Sequence, residues 1–253
     1  DHLSRMNWPR SLRIFGILGI SGGAALFVFH MSDPKIIFSD FRHAYYPAGQ
    51  AVLIERASLG ALFDSGVMGF VNLPIVAYLF APFAVMPLPL AAALFTLTGL
   101  AITYWSWHLI TRLAGLAERE SWLLFFLFAV NGPLHYSVKE GNTTHMVLLG
   151  MIGGLRLFQI GKPFLGGIVL GAATLIKLPL MLFGVYLLLR RQWEALLGYT
   201  LVGLVAGLLS VLVFGFDLNL RWFEQCVLKF GTSPLGAFNV QSFPAFMVRL
   251  EAG

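Results

Sequence analysis

The sequence predicts an all-α, polytopic transmembrane helical bundle with about seven crossings and additional interfacial helices. Of its 253 residues, 58% are hydrophobic and 23 are Phe, which is more apolar surface than a soluble domain of this size can bury. The apolar runs reach about 20 residues and contain Gly and Pro, as membrane helices do. The basic residues stand in ones and twos at the ends of these runs, which fits membrane topology better than nucleic-acid binding, despite the net charge of +5.

The first predicted span covers residues 12–30. This run is too long for the core of a signal peptide and has no small-residue cleavage site, so we interpret it as a retained span. Arg5, Arg10 and Arg13 precede it, which places the N-terminus in the cytoplasm and an outer loop, 31–88, on the other side. The sequence begins at Asp1 rather than at an initiator Met, so we expect the natural chain to start earlier.

A helix is predicted at the start of the outer loop. Ser39 can cap a helix that begins at Asp40, and a carboxylate in the first turn is favoured by the helix dipole. The predicted helix runs to about Leu59 and mixes Glu55 and Arg56 with apolar positions. This mixture is typical of a helix that lies along the membrane rather than across it.

The run 70–88 leaves two topologies open, because it is long enough to cross but contains Pro74, Pro82 and Pro87. If it crosses and 163–189 is unbroken, Arg112, Arg119 and Lys162 lie outside. If it is a hairpin and 163–189 breaks at Lys177-Leu178-Pro179, the basic residues collect in the cytoplasm, and we prefer this second topology. The remaining spans are then 89–110, 121–137, 143–158, the two short helices on either side of the break in 163–189, and 194–214.

Two charged residues indicate a functional site. Asp40 lies just beyond the first span beside Arg42, His43 and two tyrosines, and ionisable groups next to a bilayer are costly unless they are used. The alternative is a carboxylate that only caps a helix. Lys177 interrupts an apolar run, at a cost of about 2.5–3.5 kcal/mol at mid-membrane, so it should meet water or an anion. The alternative is a side chain that snorkels to the interface.

Several short motifs follow one another in the order Ser39-Asp40-Phe41-Arg42, Asn131-Gly132-Pro133, Glu140-Gly141-Asn142, Leu175-Ile176-Lys177-Leu178-Pro179, Arg190-Arg191-Gln192-Trp193 and Asn239-Val240-Gln241-Ser242-Phe243. In this combination the chain resembles the GT-C superfamily, and within it glycosyltransferase family 87, the polyprenol-phosphate-mannose-dependent mannosyltransferases. Two segments depart from the family pattern. Asn72-Leu73-Pro74 stands where Tyr-Pro-Pro is usual, and Gly141-Asn142-Thr143-Thr144 stands where Gly-Gln-x-Asn is usual. Members are usually longer, so the resemblance implies that 1–253 is a single GT-C-like domain that lacks its C-terminal spans.

The resemblance also implies roles for these residues. Asp40 is the general base of an inverting transfer, and Lys177 contacts the phosphate of the lipid donor. Arg221 and Lys139 can assist, since two cations hold a leaving phosphate better than one. Further substrate contacts are expected from the residues on the same predicted membrane face, which are Arg42, His43, Asn142 and His145. One of Arg42 and His43 is expected to orient Asp40, although both can simply be exposed to headgroups, and His145 can instead bond a neighbouring carbonyl.

No metal and no cofactor is expected, and the lipid-linked sugar is a co-substrate. Glu140 can in principle join Asp40 at a metal, as in some GT-C relatives, but nothing stands at metal-ligand spacing. The single cysteine, Cys226, excludes a cysteine-based cluster and an internal disulfide.

Two function classes remain. The first is an enzyme that moves a hexose, implied to be mannose, from polyprenyl phosphate to a lipid or glycan acceptor, at the outer face of a bacterial inner membrane. The second is a non-catalytic membrane subunit or scaffold that binds lipids or a membrane-protein partner. A transporter is less favoured, because its polar groups would form a path across the bilayer instead of lying on one side. No nucleic-acid partner is expected.

Overall fold

The computed structural model describes residues 38–66, 69–129 and 131–229, together with positions 14, 16–19, 21, 247 and 250. The predicted first span, 12–30, and the segment after residue 229 therefore lie largely outside the described residues. Within the described part the protein is helical and has no strand. The α-helices are α1 (Tyr46–Ile54), α2 (Leu59–Asp64), α3 (Ala81–Ala84), α4 (Leu88–Leu113), α5 (Glu118–Ala129), α6 (Gly132–Glu140), α7 (Thr144–Gln159), α8 (Pro163–Ile176), α9 (Leu182–Leu189) and α10 (Trp193–Trp222).

Two helices in the described part are long and apolar enough to cross a membrane, namely α4 and the helical segment Trp193–Leu228, which contains α10. Large apolar side chains on α10 point outward, and Leu204 and Leu212 are each 71% exposed. Such a surface suits contact with lipid tails. α8 and the segment Leu178–Leu189 are apolar but shorter. A bundle of seven crossings is therefore not confirmed and stays a prediction.

Several predicted helices are formed close to their expected bounds. α4, α7 and α10 follow the predicted segments 89–110, 143–158 and 194–214, and the last of these ends where Gly215 adopts a positive φ of 79°. The predicted break in 163–189 is confirmed as well. Lys177 is extended, with φ −135° and ψ 98°, because the helix cannot continue regularly into Pro179.

The prediction of one helix over 121–137 is wrong. The segment forms two helices, α5 and α6, because the Asn131 side chain accepts a hydrogen bond from the Leu134 backbone N–H at 2.9 Å and starts a new helix. Pro133 stands in the first turn of α6, where its missing N–H costs nothing. The run 70–88 does not form a single helix either. It consists of a 3₁₀ segment, Pro74–Leu79, followed by the short α3.

The segment that carries Asp40 is anchored by buried aromatic rings. It begins with a π-helical turn, Phe41–Tyr45, that continues into α1. The ring of Phe41 lies 4.7 Å from that of Phe95, and the ring of Tyr45 stacks on Phe80 at 4.6 Å. Each such pair contributes about 0.5–1.5 kcal/mol beyond its buried area. The predicted helix from Asp40 to Leu59 ends early, at Ile54, and one of its faces is buried in the protein.

Glycines set the close spacing of α7, α8 and α10. A Cβ on Gly167 would overlap the carbonyl oxygen of Ala195, and a Cβ on Gly198 would overlap that of Phe164. Gly203, also on α10, has open space around it. Gly167 and Gly198 therefore lie at the close contact between α8 and α10, and Gly203 lies outside it.

Gly141 joins α6 to the loop that precedes α7. It ends α6 in the left-handed conformation, with φ 65° and ψ 40°. A Cβ at this position would lie 2.6 Å from the Cβ of Phe41. The backbone N–H of Phe38 also donates to the carbonyl of Lys139 at 2.8 Å. These contacts bring the turn after α6 directly against the segment that carries Asp40.

Candidate functional site

Asp40 is held by a side chain from the turn that follows α6. The amide nitrogen Nδ2 of Asn142 donates to Asp40 Oδ2 at 2.6 Å, across 102 positions of sequence. Asn142 is itself fixed, because its backbone N–H donates to the carbonyl of Ser137 at 2.8 Å. Both side chains are half-buried, so the carboxylate keeps access to the outside of the protein.

The contacts continue from Asn142 to Lys177. Asn142 Oδ1 accepts from the backbone N–H and the hydroxyl of Thr144, at 3.1 Å and 2.9 Å. Thr144 Oγ1 accepts in turn from Lys177 Nζ at 2.8 Å. Asp40, Asn142, Thr144 and Lys177 therefore form one continuous set of hydrogen bonds, which we call the Asp40–Lys177 network. It joins the segment just before the π-helical turn Phe41–Tyr45, the start of α7 and the break after α8.

The backbone before Lys177 is held by a buried asparagine. Asn72 is 4% exposed, and its Nδ2 donates to the carbonyls of Leu175 and Ile176 at 3.2 Å and 2.6 Å. These carbonyls belong to the last turn of α8, where no N–H of the same helix is available to bond them. Asn72 therefore closes the end of α8 and fixes the point from which Lys177 leaves the helix.

Two features of the surroundings of Lys177 shift its pKa in opposite directions. Lys177 lies outside both candidate spans and is half-buried. Burial lowers the pKa of Lys177 below the usual lysine value, and the charge of Asp40 opposes this effect. The two charged groups are thus close enough to influence one another, and the ammonium is less well solvated than one at the surface.

A second contact supports the network from inside the protein. The hydroxyl of buried Tyr45 lies 3.4 Å from Thr143 Oγ1. Burial raises the pKa of Tyr45 to about 12, the bond to Thr143 opposes this shift, and the charge of Asp40 adds to it. The phenol therefore stays protonated at physiological pH and ties the turn around Asn142 to the buried aromatic rings.

The two neighbours of Asp40 are placed differently from each other. His43 is exposed, and its Nδ1 lies 2.9 Å from the backbone carbonyl of Ser39. Arg42 is half-buried. The hydrogen bond that orients the Asp40 carboxylate comes from Asn142 and not from His43, which makes Asn142 the positioning group at this end of the network.

The two additional cations are not equally close to the network. Lys139 forms an ion pair with Glu140 at 3.3 Å, three residues before Asn142. Arg221 pairs instead with Asp64 on the exposed surface between α10 and α2. The described contacts therefore bring Lys139 near the network and give Arg221 a different partner.

His145 lies under the network and faces α4. It is 2% exposed, its ring meets Phe95 edge-on with centroids 5.6 Å apart, and a Cβ on Gly99 would lie 3.0 Å from the imidazole. Within the described residues neither ring nitrogen has a hydrogen-bond partner. The side chain thus packs between α7 and α4, and its contact with substrate stays a prediction.

Two residues of the site carry no sequence prediction of their own, Thr144 and Asn72. Thr144 follows Asn142 by two positions, and such a spacing is typical of an asparagine side chain that bonds the backbone two residues further on. That signal points to a local turn and not to Lys177. Among the residues that the structure describes, no group of three or more His, Cys, Asp or Glu side chains is placed to hold a metal ion.

The fold and site define a class of protein: a helical membrane protein that brings a carboxylate and an ammonium from distant segments into one polar network. The chain belongs to glycosyltransferase family 87, whose family model matches residues 70–252. It is therefore a glycosyltransferase and a membrane protein. The comparisons with curated proteins and with solved structures give no match. Asn142, Thr144 and Lys177 lie within the matched range, whereas Asp40 precedes it.

Proposed function

We propose that this glycosyltransferase moves a hexose, mannose by its resemblance, from a polyprenyl-phosphate donor to a lipid or glycan acceptor. The reaction takes place at the non-cytoplasmic face of a bacterial inner membrane, without metal or cofactor. The observation that carries the proposal is the Asp40–Lys177 network. Sugar transfer from a lipid phosphate needs a base for the acceptor and a cation for the leaving phosphate, and the network holds one of each.

Asp40 acts as the base in this proposal. Its Oδ2 accepts from Asn142, and among the described residues no second donor bonds the carboxylate, so an acceptor hydroxyl can approach its other oxygen. The carboxylate takes the proton of that hydroxyl as the oxygen attacks the anomeric carbon. The bond from this carbon to the phosphate oxygen breaks, and its electron pair leaves with the phosphate. One displacement inverts the configuration of the sugar.

Lys177 stabilises the leaving group. The ammonium donates one hydrogen bond to Thr144, which leaves it further N–H donors for phosphate oxygens. Because it is half-buried and incompletely solvated, a bound anion strengthens its protonated form. The exposed apolar faces of α8 to α10 supply a lipid-facing surface beside this break for the polyprenyl tail.

The experiment compares Asp40→Asn with Asp217→Asn in purified protein. Asp217 is an exposed carboxylate on α10, so its substitution changes the charge by the same amount away from the network. We expect Asp40→Asn to lower turnover of polyprenyl-phosphate mannose, in the presence of a membrane lipid extract as acceptor, by about 10²–10⁴-fold. Asp217→Asn should keep the parent rate, and both variants should unfold at the parent temperature. Near-normal turnover by folded Asp40→Asn would rule out the assignment of the base.

A further inference from the structure

We propose that Thr144 is a positioning residue of the transfer reaction, because its hydroxyl bonds both Lys177 and the Asn142 amide that holds Asp40. The inference rests on the proposed function, since it concerns how the base and the phosphate-binding cation are held together. Thr144 itself touches neither substrate in this account. It acts through Asn142 and Lys177.

The direction of the bonds follows from what each group can donate. A lysine ammonium has three N–H donors and no acceptor, so Thr144 Oγ1 must accept in its 2.8 Å contact with Lys177. A threonine hydroxyl carries one proton. That proton is then directed to Asn142 Oδ1, 2.9 Å away. The hydroxyl is therefore used on both sides, once as acceptor and once as donor.

The hydrogen bonds of Asn142 determine the orientation of its side-chain amide in the same way. Its Oδ1 also accepts from the backbone N–H of Thr144 at 3.1 Å, so two donors point at this end of the amide. If the amide were rotated by 180°, its N–H groups would face the two Thr144 donors and its oxygen would face the Asp40 carboxylate, so donor would meet donor and acceptor would meet acceptor. The observed orientation instead leaves Nδ2 to donate to Asp40 Oδ2. Thr144 therefore holds the amide in the orientation that the Asp40 carboxylate, which can only accept, also requires.

Loss of the hydroxyl removes two restraints together. The amide of Asn142 keeps one of its two donors at Oδ1, so the preference for its present orientation is weaker. The ammonium of Lys177 loses its contact at Thr144 and can adopt other rotamers of a long side chain. The Asp40 base and the Lys177 ammonium are still present, but their separation and orientation are no longer fixed. The expected effect is therefore on the rate of the chemical step, which depends strongly on geometry, more than on donor binding.

The experiment uses Thr144→Val and Thr144→Ser in the purified full chain, with Thr200→Val as the matched control. Thr200 lies on α10, is exposed, and bonds backbone carbonyls of its own helix. With polyprenyl-phosphate mannose as donor, we expect Thr144→Val to lower kcat by about 10- to 100-fold and to change the donor KM by less than about threefold. Thr144→Ser keeps the hydroxyl and should restore kcat to within about threefold of the parent. Thr200→Val should match the parent.

Thermal unfolding and the Thr144→Ser variant distinguish a loss of positioning from a defect in folding. If Thr144→Val does not give folded protein, Thr144→Ala also lacks the hydroxyl and is judged by the same criterion. A kcat close to the parent value in either folded variant, or a serine variant as slow as the valine variant, overturns the positioning role. An inactive Asp40→Asn beside a fully active Thr144→Val would reject only this inference. An active Asp40→Asn would reject the proposed function itself.

Discussion

Lys177→Met is the substitution that best separates a phosphate-binding lysine from one that merely snorkels to the interface. Methionine keeps much of the length and flexibility of the side chain but removes its charge and all three donors. A hydrogen bond that involves a charged group contributes about 1.5–3 kcal/mol. Loss of one such bond to the donor phosphate should therefore weaken donor binding by about 10- to 150-fold.

Lys177→Met should weaken donor binding without lowering the stability of the protein. The ammonium of Lys177 is half-buried, and burial of a charge is unfavourable, as its lowered pKa indicates. Its replacement by an apolar side chain removes this cost, although it also removes the bond to Thr144. We expect the thermal unfolding temperature of Lys177→Met to equal or exceed that of the parent. A large loss of stability would indicate that the lysine is mainly structural.

Lys162→Met is the matched control, because Lys162 stands exposed at the other end of α8 and its loss removes the same charge. Donor affinity is measured by titrating a short-chain polyprenyl-phosphate mannose into purified protein in nanodiscs. We expect weaker binding for Lys177→Met alone. Donor affinities of the two variants within about twofold of the parent would refute the phosphate-binding role.

The same titration repeated across pH gives a second test of Lys177. Because burial lowers its pKa, the ammonium loses its proton at a lower pH than an exposed lysine does. Donor affinity should be fully present below this lowered pKa and should decline as the pH rises through it. Lys177→Met has no proton to lose and should not show this decline. A decline of equal size in both proteins would assign it to another group.

Two glycine substitutions test how the site is held in place, each by thermal unfolding of the purified variant beside its control. Gly141→Ala should lose about 2–5 kcal/mol of stability, because the residue has a positive φ of 65° and the new Cβ would approach Phe41. Gly115 has a similar φ of 61° but open space around it, so Gly115→Ala should lose only about 1–2 kcal/mol. Equal losses would show that the contact with Phe41 is unimportant. Gly167→Ala should lose at least about 1–3 kcal/mol of stability, because the new Cβ forces α8 and α10 apart. Gly203 has open space around it on α10, so Gly203→Ala should leave stability unchanged or raise it by up to about 1 kcal/mol. A tolerated Gly167→Ala would contradict the close packing of these helices.

Local chemistry made the break at Lys177 predictable from the sequence. Proline two residues after the lysine removes a backbone donor and restricts the residue before it, so a regular helix over 163–189 is disfavoured without any tertiary information. The break at Asn131 had an equally local signal, an asparagine followed by Gly132-Pro133. Asn131 caps the new helix, and Pro133 is tolerated in its first turn, so the apolar segment does not form one helix.

The partners of Asp40 and Arg221 could not be predicted in the same way. The bond between Asp40 and Asn142 spans 102 positions and depends on how the turn after α6 packs against Phe41. The charge of Arg221 predicts a place near the phosphate. In the structure its guanidinium contacts the carboxylate of Asp64, which lies 157 positions earlier in the sequence. Sequence patterns report which side chains are costly to bury, and only the packing of the helices decides which of them meet.

The most direct test is a cryo-EM structure of the protein with a non-hydrolysable phosphonate analogue of polyprenyl-phosphate mannose. We expect a phosphonate oxygen within about 2.7–2.9 Å of Lys177 Nζ and the anomeric carbon of the sugar facing the Asp40 carboxylate. A phosphonate bound away from Lys177, or side chains closing the space between Lys177 and Asp40 while the analogue sits elsewhere, would contradict it.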